Sequence, residues 1–148
     1  MRRLAFVLLL LWPTAQQSPA KPPDPAAALA AAEAKWQKSR PATYEFAIEV
    51  TCFCPPPFER AQVFRVTNGV PARIGPGAAP PSGTAWDHFD TIEELFAVVK
   101  RYLPGGVRVN VQYDVELGYP RTADLDQAEN MADDELRFNV TNFKVVTK

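Results

Sequence analysis

Tyr44-Glu45-Phe46-Ala47-Ile48-Glu49-Val50-Thr51-Cys52-Phe53-Cys54 is the stretch from which the fold is read. Tyr44, Phe46, Ile48, Val50, Cys52 and Cys54 share one parity, while Glu45, Glu49 and Thr51 fall on the other. Successive strand side chains point to opposite faces, so this alternation predicts a half-buried β-strand over 44–54. One packed and one open face is the habit of an antiparallel sheet. Pro55-Pro56-Pro57 ends the strand, because proline cannot donate to a ladder.

Downstream, strand character resumes over 61–67, and Asn68-Gly69 is the strongest short-range hairpin signal. Val70, Ala72 and Ile74 continue the alternation. The glycines and prolines of 75–90 predict loop. Thr91 with Glu94 three positions on forms a capping box. Ile92, Leu95, Phe96, Val99, Tyr102 and Leu103 then share a helical face, until Pro104-Gly105-Gly106 stops the helix. Val107, Val109, Val111 and Tyr113 alternate with polar residues as a further strand. Leu117-Gly118-Tyr119-Pro120 turns the chain into a short return strand over 121–125. The acidic stretch from Asp124 to Glu135 reads as loop. Leu136, Phe138 and Val140 open a last strand, and the opposite parity of Phe143 and Val145 requires a bulge near Thr141-Asn142.

Upstream, Asp24-Pro25 is a first-turn signature, and residues 26–38 form a helix with Leu29, Ala32 and Trp36 on one face. Arg40-Pro41 ends it. The pattern predicts one α+β domain over 26–148: a single antiparallel sheet of five to six strands with two helices packed on one face. Both halves run α-β-β-β, the order of a repeat, without residue-level identity.

Residues 1–20 read as a signal peptide. Arg2 and Arg3 precede nine apolar residues, Leu4 to Trp12, and small residues follow Pro13. Nine helical residues span only about 14 Å, under half a bilayer core. Cleavage after Ala15 or Ala20 leaves a Pro-rich linker over 21–25 and a periplasmic or secreted protein with no integral membrane segment in its mature form. The whole chain carries 16 basic and 17 acidic residues, a balance that gives nucleic acid nothing to bind.

Two cysteines in an oxidising compartment point to a Cys52–Cys54 disulfide. Alternate strand residues stand about 6.6 Å apart, at the outer edge of the range for bridged Cα atoms, so the strand must buckle to close the bond. A structural pin at the strand end, a strained reducible bridge, a soft-metal thiolate pair and two free or intermolecularly bonded thiols all remain open on this spacing. His88, flanked by Asp87 and Asp90, is the only histidine, and no nucleophile accompanies it to complete a triad. The acidic run lacks the glycine and terminal glutamate of a calcium loop, and the sequon at Asn139 falls inside an expected strand. Tyr113, Asp114 and Tyr119 flank a turn in which Gly118 supplies positive φ and Asp114 accepts from turn amides; the three form a candidate binding group.

Trp36, Pro41-x-x-Tyr44, Cys52-Phe53-Cys54, Val66-x-Asn68-Gly69, Thr91-Ile92-x-x-Leu95-Phe96, Tyr113-Asp114-x-x-x-Gly118-Tyr119-Pro120 and Asp134-Glu135 together resemble a family of exported bacterial proteins, domain of unknown function 6174. Several members look like lipoproteins, whereas this chain has no cysteine near its cleavage points to accept a lipid. The resemblance implies export and one domain, and no mechanism. No catalytic residues, cofactor or metal site are assigned. The expectation is a non-enzymatic binding domain whose partner is a protein or another envelope component. The alternative is a redox-active protein working through the Cys52–Cys54 bridge.

Overall fold

A computed structural model describes residues 24–54, 60–75, 85–131 and 133–147. The leader, linker positions 21–23 and the proline run after Cys54 lie outside the described residues. α1 spans Pro25–Ser39, with proline in its first turn and Arg40 as the C-cap. Pro25 therefore belongs to the helix and not to the linker, since its fixed φ suits a first turn whose N–H would be unpaired anyway. Leu29, Ala32 and Trp36 are its buried residues, as their spacing requires.

Among the described residues six strands form one antiparallel sheet: β1 (Thr43–Cys52), β2 (Gln62–Thr67), β3 (Val70–Ile74), β4 (Arg108–Tyr113), β5 (Pro120–Asp126) and β6 (Leu136–Val145). Their order is β3-β2-β1-β6-β5-β4. The stretch that opened the sequence argument is thus a central strand, paired with β2 on one side and β6 on the other. It ends at Cys52, where the chain bends, and so stops short of the expected Cys54. Its second face is also less open than alternation implies. Glu45 is buried, because the ion pairs of Arg65 and Lys144 from the flanking strands close over its carboxylate.

α2 spans Ile92–Tyr102, and the Thr91 hydroxyl accepts from the Glu94 amide at 3.1 Å. Ile92, Leu95, Phe96, Val98 and Val99 are buried against the sheet. Both helices share one core with Tyr44, Phe46, Ile48 and Val50 of β1 and Phe138 and Val140 of β6.

Three expectations need correcting. Residues 85–90 are not plain loop: Ala85–His88 is a 3₁₀ turn that drives Trp86 (1% exposed) and Phe89 (5%) into the core. A three-residue period brings these aromatics to one side, and their burial outweighs the loop-forming composition around them. The strand before Asn68 begins at Gln62, not Ala61. Asp124 and Asp126 are not loop residues but the far-face positions of β5, where Arg108 and Arg137 offset their charge. The expected bulge is present: Asn142 has φ +53°, and the advance of two residues from Glu45 to Ala47 on β1 is matched by three, from Lys144 to Thr141, on β6.

Candidate functional site

Cys52 and Cys54 are bonded to one another, with Cα atoms 5.1 Å apart. The contraction from strand spacing comes from the bend at Phe53, whose ring is 83% exposed. Cys52 is half-buried against the core, and Cys54 is exposed.

The Tyr113, Asp114 and Tyr119 group builds a turn. The Asp114 carboxylate accepts from the amides of Glu116 (3.0 Å) and Leu117 (2.7 Å), and its own amide donates to the Tyr119 carbonyl at 2.8 Å. Gly118 has φ +85°. The Tyr119 ring is buried and stacks on Phe143 at 4.4 Å. Tyr113 stacks on Phe96 at 6.3 Å, and burial pushes its phenol up to about 12. All three side chains face inward or are engaged in the turn.

His88 is exposed, with Nδ1 3.9 Å from the Glu94 carboxylate. Asp90 beside it is held up at about 6, first by partial burial and then by the negative charge of Asp87 and Glu94. Asn139 is an exposed residue of β6. Among the described residues no group of three or more histidines, cysteines, aspartates or glutamates is placed to hold a metal ion.

Sequence reasoning missed Glu93. Its Oε1 accepts from Trp36 Nε1 and from Arg40, each at 3.0 Å, and its Oε2 accepts from Tyr44 Oη at 3.2 Å. Burial alone raises a carboxyl's pKa, but these donors outweigh it and hold Glu93 below the usual carboxylate range. The cluster ties α1, β1 and α2 together. Nothing in the sequence marks Glu93, since an acidic residue in a helix's first turn is common for other reasons.

A cleft beside the β4 edge is also unmarked in sequence. A cleft of about 1150 Å³ runs along β4, walled by Val109, Val111 and Tyr113 on one side and by Pro25 and Ala28 of α1 on the other. A second hollow of about 390 Å³ continues past Arg108 to Val107 and Leu103. Among the described residues β4 is an edge strand that pairs with β5 alone. An edge strand turns every second N–H and C=O away from the sheet, and among the described residues nothing takes up that outer row.

The family model for a family of unknown function, DUF6174, matches residues 28–145, from the first turns of α1 to the end of β6. The chain belongs to DUF6174. The match takes in α2, α1 from Ala28 onward, the six strands β1 to β6, the Cys52–Cys54 bridge and the Asp114 turn, so the β4 cleft is formed by DUF6174 elements apart from its rim at Asp24 and Pro25. No curated protein and no solved structure matches the chain. In this DUF6174 chain, no helix among the described residues is long and apolar enough to cross a membrane.

Proposed function

We propose that the protein is an exported, non-enzymatic binding domain of the cell envelope or medium, and that its contact surface is the β4 edge with the adjoining cleft. The observation that carries the proposal is the coincidence of a ladder edge unpaired among the described residues with a mostly apolar cleft of about 1150 Å³. Clefts of this size with apolar walls and a few polar groups are the usual form of binding sites. Export is supported by the basic and apolar leader of residues 2–12.

Hydrogen exchange of the mature protein, with and without soluble envelope extract, tests the surface. Slowed exchange in β4 and the first turn of α1 is the expected result, and slowing confined to other elements overturns it. Intact mass of the secreted form tests export, with Gln16 or Lys21 expected as the first residue.

A second reading, a redox protein, is favoured by one observation: the bridge is at the surface, with Cys54 exposed. A dithiol partner would pass two electrons to the bridge, leave as its own disulfide, and convert Cys52 and Cys54 to thiols. Equilibration against glutathione buffers decides the matter; a bridge that survives a reducing glutathione pool ends this reading.

A further inference from the structure

We propose that the β4 edge captures an extended peptide segment of a partner protein, rich in alternating apolar and basic residues, as a seventh strand of the sheet. The inference rests on the binding reading above and names the occupant of the same site. Hydrogen-bonding groups along an edge recognise backbone, so a strand is the matching ligand. The open row runs Arg108–Tyr113 without a proline, about 20 Å at strand rise.

Side-chain chemistry then sets what the strand carries. Val109, Val111 and Tyr113 are only half-buried on the helix side, facing Pro25 and Ala28 across the cleft. Every second side chain of an added strand enters that space, and it must be apolar. The other set of side chains meets the far face, where carboxylates outnumber cations. Asp124, Asp126 and Glu135 there face Arg108 and Arg137 in the ion pairs at this end of the sheet, and Asp24, which enters none of those pairs, stands at the rim of the cleft on the α1 side. A residual negative charge favours lysine or arginine on the incoming strand. The same charge disfavours a second copy of this chain, because pairing β4 with β4 brings the two acidic ends of the sheet toward each other.

The probe is a heptapeptide of alternating lysine and valine, titrated into the disulfide-intact mature protein. A glutamate–valine counterpart and a lysine–valine peptide N-methylated at every amide are the controls. The lysine–valine peptide should slow exchange of the β4 amides, bind at least tenfold tighter than the glutamate form, and weaken as salt is raised. Asp24→Lys, at a residue whose side chain makes no capping bond, should weaken it several-fold without loss of fold. Binding by the N-methylated peptide, or protection at β3 instead of β4, overturns strand addition. Equal affinity for the two charges overturns the basic partner. A dimer in sedimentation whose β4 amides are protected before any peptide is added assigns the edge to a second copy and overturns the proposal. If the peptide leaves β4 untouched while envelope extract still protects it, the strand proposal fails and the binding reading stands.

Discussion

The β2–β3 hairpin and the β4–β5 hairpin close the sheet at opposite edges, and they are held by different means. Asn68 and Gly69 turn the first with φ of +51° and +82°, the geometry of a two-residue primed turn. A Cβ added at Gly69 meets nothing within 4 Å. The edge beyond it is five residues long and carries Pro71, which removes one donor. The second hairpin is clamped from outside. Lys35 of α1 donates to the Val115 carbonyl at 2.7 Å, and a Cβ at Gly118 would stand 2.5 Å from the Ala32 carbonyl oxygen. A local turn ends at a blunted edge, whereas a docked turn leads to an edge with all its donors intact. The difference teaches that the sheet protects one side and leaves the other available.

Substitutions in the two turns break or sharpen this contrast. Gly118→Ala carries the largest expected effect, about 3 kcal/mol by urea unfolding, because it adds a left-handed penalty to a clash with helix backbone. Asp114→Ala removes the acceptor of two turn amides and costs about 1–2 kcal/mol. Gly69→Ala pays the left-handed penalty alone, about 1 kcal/mol, with the turn otherwise unobstructed. Equal losses for Gly69→Ala and Gly118→Ala would show that docking onto α1 contributes nothing.

A smaller effect separates the hairpins by pH. The Tyr113 phenol is pushed up to about 12 by burial, chiefly, and by Glu33. A raised folded pKa means that the stability it reports is complete below the ordinary phenol range, near pH 10, and is lost as pH climbs toward 12. Tyr113→Phe should therefore raise the midpoint of alkaline unfolding. An acid limb should appear as well, since Glu93 lies below its ordinary range and its contribution disappears as pH falls through its folded pKa. Glu93→Gln should flatten that limb.

Much of the fold was legible because its signals are local. The period of two across Tyr44–Val50, the Thr91 cap, Asn68-Gly69 and the parity break before Phe143 each depend on residues a few positions apart, and each sits where expected. Trp86 and Phe89 were hidden by the glycines and prolines before them, although their spacing of three was there to be read. Of the candidate site, Cys52–Cys54 and the Asp114 turn were visible as short motifs. The β4 cleft was not, because its two walls lie some eighty residues apart in the chain.

The sequence by itself determined the elements, the caps and turns that bound them, and the charge balance, since propensity, periodicity and capping act within a turn or two of chain. Only the tertiary structure decided that β4 lies at an edge, that α1 stands beside it, and that Glu93 gathers Trp36, Arg40 and Tyr44. Strand order follows from which faces bury together over the whole molecule, and no local pattern along the chain encodes that sum.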